Sequence, residues 1–486
     1  MTQIFIMVFD GLQPSQVIPE LMPRVSAFAA SGVQFQKHHP VFPTVTRINA
    51  ASMVTGRYPG GHGLAANTMV MRELDPGELF PVLEPGLKRL AEHTGGRVLL
   101  SPPLSEILSH HGRQYVAVGV GTSGNAFVHN PHPEHSNGAT IHPEFCLPYD
   151  LHPEIIKQFG EWPDEAYPNE ARVQHAGRIV TDYVMSERQP DVTLLWSSEP
   201  DKSQHRDGVN SDLSKQALAM ADTEFGRILD WLDENGRLGE TDVIVLSDHG
   251  YSTITEVIPV EAMVRDAGFP ASGDNGVVVA ANGGSVIFYT NPSDPNTAER
   301  LARWLMIQPW CGALLSSEAA GNIAGTLPID LAGGDGERAP DLAMSFAWNH
   351  DENEQGVPGH AFSSGGAPGA GQHGSMSPHE LRNTMIASGP SFKSGLLNEI
   401  PSGNVDLAPT VLELLGLPGA EHMDGRVLTE ALEGGPEQHE VEVGVEHHTM
   451  RRTVFKIEYH QMVRTSRVGN TQYLDEGDAR RDPMRT

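Results

Sequence analysis

The sequence predicts an α/β protein. Its expected core is a doubly wound, mostly parallel sheet flanked by helices, with a smaller α/β insert. Three observations predict it. Short apolar runs recur along the chain, too short for helices and rich enough in Val, Ile and Phe for buried strands. Amphipathic helical stretches separate them. Acidic residues and histidines follow several runs directly, at the strand ends where open α/β sheets place their sites. A length of 486 residues suits one large α/β domain with a substantial insert.

The runs expected as buried parallel strands are 4–9, 115–120, 192–196, 243–246, 342–346 and 385–387. Helices are expected at 105–110, 173–187, 213–238 (stopped by Gly239) and 406–415 (stopped by Gly416 and Pro418). Residues 122–170, rich in Pro, His and Asn, read as loops over the site. The catalytic core is assigned to 1–252 and 340–440. Residues 253–339 are assigned to an inserted cap subdomain, with a strand at 284–289 and a helix at 297–307. The C-terminal extension, 441–486, holds a possible hairpin turning at Val468-Gly469-Asn470.

Composition narrows the function. With 33 basic and 62 acidic residues the formal net charge is −29, which argues against a nucleic acid polymer as partner. An acidic protein that handles phosphate must supply positive charge locally, and a bound metal does so. Cys146 and Cys311 are the only cysteines, so neither a disulfide framework nor a thiolate metal site is expected. The 23 histidines leave ample imidazole. No stretch approaches the length of a membrane span. If residue 1 is the native start, the absence of a charged region and cleavage site before the first strand implies a cytoplasmic protein.

Five segments carry candidate chemistry. Phe9-Asp10-Gly11 ends the first run; taken alone it is a turn aspartate or a ligand. Thr44-Val45-Thr46-Arg47-Ile48-Asn49 opens a helix, where Thr46 is either a cap or a nucleophile held at a helix start that favours anions. Asp201 and His205, four apart after the third run, share one helical face as a metal pair or a surface salt bridge. Ser247-Asp248-His249-Gly250 places a carboxylate beside an imidazole at a strand end. His373 follows the glycine-rich loop 365–371. Together Asp10, Asp201, Asp248, His205, His249 and His373, with the Thr46 hydroxyl, suit two zinc ions that each keep an open position. Two metals about 3.5–4 Å apart clamp the attacking and leaving oxygens of an in-line displacement.

The order of motifs resembles the nucleotide pyrophosphatase/phosphodiesterase branch of the alkaline phosphatase superfamily. It runs Asp10-Gly11, Pro43-Thr44-Val45-Thr46 with Asn49, Thr55-Gly56 to His62-Gly63, Pro200-Asp201 to His205, Ser247 to Gly250, and His373-Gly374-Ser375. The resemblance spans residues 4 to about 420. It implies an alkaline phosphatase-like fold and two zinc ions per chain. One zinc would lie on Asp201, His205 and His373, the other on Asp10, Asp248 and His249 beside the nucleophile Thr46. It makes Asn67 a donor to a non-bridging phosphoryl oxygen, and Asn49 reads as structural. The implied activity is hydrolysis of a small-molecule phosphodiester or pyrophosphate through a phosphothreonine, without a membrane.

The sequence departs from that branch at Arg47-Ile48, where nucleotide-cleaving members commonly carry Phe-Pro. Arg47 either binds a second anionic group of the substrate or points into solvent. The first option raises the alternative of a phosphonoacetate-type phosphonate hydrolase. A binding protein that has lost its chemistry is disfavoured by the complete ligand set. His129, His132 and His135 imitate a metal site, but Pro131 and Pro133 exclude a helix that would align them. They read as a His-rich surface or cap loop. His447 and His448 read as exposed, and His62 as structural or as a residue behind the ligands.

Overall fold

The computed structural model describes residues 3–273, 276–291 and 294–483. Its centre is a nine-stranded sheet. Gln3–Phe9 lies in the middle, parallel to Thr241–Leu246 on one side and Val192–Ser197 on the other. Tyr115–Gly119 and Ala139–Ile141 extend the parallel run outward. The alternation of one strand explains the layering. Ile4, Ile6 and Val8 enter one core and Phe5, Met7 and Phe9 the other, because successive side chains leave a strand on opposite faces. Each such side chain, fully buried, contributes roughly 1.5–3 kcal/mol. The expected α/β class and the mostly parallel sheet are what the chain adopts.

Several elements differ from expectation. Met385–Ser388 belongs to the central sheet but runs antiparallel to Thr241–Leu246. Leu342–Phe346 leaves that sheet altogether. It runs antiparallel between Ser285–Thr290 and Cys311–Ser316 in a separate five-stranded sheet. A fully apolar run reports burial on both faces, not the identity or direction of its neighbours. Helix Pro295–Met306 supplies the core on one face of this small sheet.

Residues 122–170 are more than loops. Ala139–Ile141 and Cys146–Leu147 complete one edge of the central sheet, with helices Ser123–Val128 and Leu151–Phe159 beside them. Strands of three and two residues are too short to leave a period in the sequence. Helix Asp212–Glu234 stops earlier than expected, at Asn235 and Gly236, the latter at φ +68°. Helix Glu170–Ile179 continues as a π-helix over Val180–Arg188.

The C-terminal hairpin forms with Val468 opposite Thr471, and Val443–Val454 adds a third strand. It docks through buried polar contacts. Tyr473 Oη donates to Asp406 at 2.8 Å, and His39 Nε2 meets Asp475 at 3.0 Å. Among the described residues no helix is long and apolar enough to cross a membrane.

Candidate active site

Three adjacent strands end at one edge of the central sheet, and the chain leaves each through a candidate ligand. Phe9 stands opposite Ser197, and Val8 opposite Leu246. Asp10 therefore emerges beside the turn leading to helix Asp201–Asp207 and beside Asp248-His249. Gly11 is required here. Its φ is +71°, and a Cβ would lie 2.5 Å from the Tyr251 ring. That close approach lets the Gly11 N–H donate to Asp248 Oδ1 at 3.0 Å, leaving Oδ2 free. Trp196 Nε1 likewise occupies Asp10 Oδ2 at 3.0 Å. Asp10 Oδ1 and Asp248 Oδ2 are buried and have no hydrogen-bond partner among the described residues.

The imidazoles are aimed by their backbone contacts. Nδ1 of His205, His249 and His373 meets the carbonyl oxygens of Gly371 (3.1 Å), Gly250 (3.1 Å) and Thr44 (2.7 Å). A carbonyl only accepts, so each Nδ1 carries a hydrogen, and in the neutral tautomer that fits this contact Nε2 is the atom left to present a lone pair. His205 Nε2 and His373 Nε2 face each other at 3.0 Å, and both lie 3.4 Å from Asp201 Oδ1. His249 Nε2 lies 3.2 Å from Asp248 Oδ2 and 3.5 Å from Asp10 Oδ1. The rings of His249 and His373 stack at 3.6 Å, which joins the two groups.

Two lone pairs in contact, and two orphaned carboxylate oxygens beside a third, are unfavourable without cations between them. The donor set of oxygen and imidazole nitrogen without thiolate suits zinc, so these residues fit the metal expected from the sequence. Of the three groups among the described residues that could hold an ion, two meet here and share Asp201, with His205 and His373 in one and with Asp10 and His249 in the other; the third, Glu106 with His132 and His135, lies elsewhere.

The electrostatics agree. Burial pushes the Asp10 carboxyl well above the usual carboxylate range, and Asp248 and Asp201 push it further. Burial acts the same way on Asp201, but His205 and His373 outweigh it and hold that carboxyl below the usual range. Burial lowers His205. It also opposes a charge on His249, yet Asp248 and Asp201 raise that imidazole above its ordinary value. A field that favours imidazolium at this point favours a metal cation equally.

Thr46 is the first residue of helix Thr46–Thr55. The cap position belongs to Val45, whose side chain has no oxygen, so the helix start is not capped by a hydroxyl. Thr46 Oγ1 instead faces His249 Nε2 at 3.4 Å. The Asn49 side chain bonds Val41 and Val45 behind Thr46, a structural contact. Asn67 Oδ1 accepts the Arg47 N–H at 3.0 Å, which fixes the amide and leaves Nδ2 to donate elsewhere. Arg47 turns inward. Its Nη1 donates to the Asn67 carbonyl at 2.9 Å and its Nε to Thr122 Oγ1 at 3.3 Å.

Sequence reasoning missed the supports. Tyr251 Oη donates to Asp201 Oδ1, and only its place directly after Gly250 could have drawn attention to it. Trp196, which braces Asp10, reads simply as the apolar end of a strand. Asn282, at the tip of the hairpin joining Val277–Asn282 to Ser285–Thr290, bonds both backbone groups of Thr68 at 2.8 and 2.9 Å. The same turn receives His373, since Gly284 N–H donates to its carbonyl at 2.7 Å.

The other histidines fall outside the site. His62 is buried between Ser52 Oγ and the Leu64 N–H. His129 is buried against Tyr115 Oη. His132 and His135 approach Glu106 rather than His129, and both ring nitrogens of His132 are occupied, by Glu106 and the Gly96 carbonyl. His447 is exposed, whereas His448 is half-buried and bonds Thr465 Oγ1.

A profile of the type I phosphodiesterase / nucleotide pyrophosphatase family matches residues 4–343. The chain belongs to that family. It is 24% identical over 235 residues to venom phosphodiesterase CdcPDE of Crotalus durissus collilineatus, covering 48% of this chain and 24% of that one. It is also 24% identical over 254 residues to ectonucleotide pyrophosphatase/phosphodiesterase family member 3 of Bos taurus, covering 51% and 24%. These matches take in about a quarter of each relative's length. An inactive form of murine ectonucleotide pyrophosphatase/phosphodiesterase 5, solved in complex with AMP, superposes with a TM-score of 0.61 at 16% identity, covering 86% of this chain and 96% of that one. The fold is therefore shared well beyond the reach of sequence identity. The family match ends before His373, which the fold alone brings to the site.

Proposed function

We propose that this family member hydrolyses phosphodiester or pyrophosphate bonds of a small molecule through a phosphothreonine on Thr46, with two zinc ions held by Asp10, Asp201, His205, Asp248, His249 and His373. The observation that carries this reading is Thr46 Oγ1. It sits at a helix start without a capping role and faces His249 Nε2 at 3.4 Å, amid the converging ligands. Zinc on these residues would lower the pKa of the threonine hydroxyl and neutralise charge building on the phosphoryl and leaving oxygens.

Thr46 Oγ attacks phosphorus in line, the bond to the leaving oxygen breaks, and the hydroxyl proton passes to solvent. Asn67 Nδ2 donates to a non-bridging oxygen as charge accumulates there. Water then attacks the phosphothreonine, and Thr46 recovers its proton as the second P–O bond breaks. AMP in the murine relative favours a nucleotide-type substrate. The inward-facing Arg47 keeps the phosphonoacetate-type reading as the second candidate.

Stereochemistry at phosphorus tests the intermediate. Two in-line displacements retain configuration and one inverts it. A chiral thiophosphate diester hydrolysed in labelled water should give retention, and Thr46→Ser should keep part of the rate while Thr46→Ala loses nearly all. Net inversion would mean that water attacks directly and Thr46 is not the nucleophile.

A further inference from the structure

Arg47 is set apart by its place directly after Thr46. Acidic residues outnumber basic ones 62 to 33. Several half-buried arginines find carboxylates, such as Arg57 with Asp424, Arg72 with Asp341, Arg113 with Asp191 and Arg426 with Glu430, while Arg237 and Arg481 are spent on neutral oxygens away from the site. Arg338, more deeply placed, pairs with Glu73. Arg47 is half-buried at the mouth of the site, and among the described residues it makes no ion pair. Its guanidinium has five N–H donors. Two go to neutral oxygens, the Asn67 carbonyl and Thr122 Oγ1, and these fix the plane of the group. Among the described residues both hydrogens of Nη2 and one of Nη1 are uncommitted, in a group that matches a carboxylate or phosphate two bonds at a time.

We propose that Arg47 forms an anion subsite selecting substrates that carry a second negative group next to the reacting phosphorus: the far phosphate of a phosphoanhydride diester, or the carboxylate of a phosphonocarboxylate. This rests on the phosphoryl chemistry proposed above. The placement gives the reason. Arg47 follows the nucleophile directly in the chain, and its guanidinium bonds the backbone carbonyl of Asn67, the residue whose side-chain amide faces the phosphoryl group. It is thus displaced from that amide by the length of one residue, and meets the neighbouring anion rather than the oxygen Asn67 serves.

Burying a guanidinium that makes no ion pair among the described residues is unfavourable in the free protein, and the charge of Asp10 offsets this only in part. The ligand supplies the missing charge. Two divalent ions also outweigh three carboxylates, so the arginine extends a positive field toward a polyanion instead of offsetting a negative one. Phosphate and carboxylate share the recognised chemistry, two acceptor oxygens in a plane, and the substrates separate them.

The test uses the zinc-loaded full chain, with Arg47→Ala and Arg47→Lys beside the wild type. The probes are bis-p-nitrophenyl phosphate with one negative charge, di-p-nitrophenyl pyrophosphate with two, and phosphonoacetate. In Arg47→Ala the ratio of kcat/KM for a second-anion substrate to that for the mononegative diester should fall about 10- to 100-fold, chiefly through KM, with Arg47→Lys intermediate. A fall with the pyrophosphate assigns the subsite to phosphate; a fall with phosphonoacetate assigns it to carboxylate. Equal loss on all probes overturns the proposal, since Arg47 would then serve the shared phosphoryl group or merely hold Asn67. Wild-type hydrolysis of the mononegative diester alone also overturns it while leaving the proposed function standing.

Binding is read separately. Inorganic pyrophosphate titrated into zinc-loaded Thr46→Ala should bind at least about tenfold more tightly than to Thr46→Ala/Arg47→Ala. Equal binding overturns the subsite whatever the protein hydrolyses.

Discussion

Replacing Asp10 by asparagine should reverse the sign of its effect on stability with metal content. Without metal, Asp10 Oδ1 is buried without a hydrogen-bond partner among the described residues, and the carboxyl is raised by burial and by Asp248 and Asp201. Two unit charges about 4 Å apart at an effective dielectric of 20 interact by about 4 kcal/mol. Uptake of a proton relieves part of this, so a destabilisation of about 1–3 kcal/mol is expected to remain at pH 8. Because the folded state holds this proton more tightly than the unfolded chain, stability falls as pH rises from the ordinary carboxylate value toward the raised one. In Asp10→Asn the charge is gone, Trp196 Nε1 keeps an acceptor, and the new amide N–H replaces Oδ1 next to the His249 Nε2 lone pair. Metal-free Asp10→Asn should therefore melt higher than metal-free wild type, by roughly 2–12 °C at about 2–4 °C per kcal/mol.

With zinc the order inverts. A site filled at about a thousandfold excess over its Kd stabilises by about 4.1 kcal/mol, and much of that is lost with the ligand. Calorimetric melting of both proteins in chelator and in zinc, at pH 8, reads the crossing directly. An equal drop in Tm under both conditions would show that Asp10 is a structural residue, and the two-metal reading would lose one of its anchors.

Two further outcomes follow from the surrounding structure. Tyr251→Phe removes the hydroxyl that donates to Asp201 Oδ1, and should weaken zinc affinity about 10- to 100-fold by competition with a chromogenic chelator while the fold persists. His38, His62 and His129 are buried neutral, each drawn down by burial to about 3. The unfolded chain binds protons on all of them below about 6.5, so stability is full above that pH and declines as pH falls toward 3, by up to about 1.4 kcal/mol per unit for each histidine. Urea unfolding at pH 7, 5.5 and 4.5 measures the decline, and His62→Phe should flatten it.

Two of the candidate ligands, Asp10 and Asp248, were legible because each closes an apolar run. Asp10 interrupts Phe5 to Phe9, and Asp248 interrupts Val243 to Leu246, so a strand and its functional end are read together. His373 was legible only through the order of motifs, since nothing local distinguishes it from other histidines in glycine-rich segments. The antiparallel directions of Met385–Ser388 and Leu342–Phe346 were not legible, because direction depends on partners far away in the chain. The supports were hidden for a related reason. Trp196 and Tyr251 look like core aromatics in sequence, and what distinguishes them is one polar atom each, aimed across more than fifty residues or a strand boundary. Arg47 carried two readings until the structure turned it inward.

The turn at 282–285 has a consequence for how such a protein can change over time. Asn282 fastens the backbone beside Asn67, while Gly284 fastens the carbonyl of His373, so a four-residue turn of a separate sheet acts as a spacer between opposite walls of the site. Gly374 meets the same spacer. At φ +118° it has no room for a Cβ, which would stand 2.3 Å from the Asn282 carbonyl oxygen. The loops around the mouth can drift in length and sequence, but this turn cannot gain or lose a residue without altering the aperture. The width of the site is thus set in part by the smaller sheet, through contacts that bind its hairpin to both Thr68 and His373.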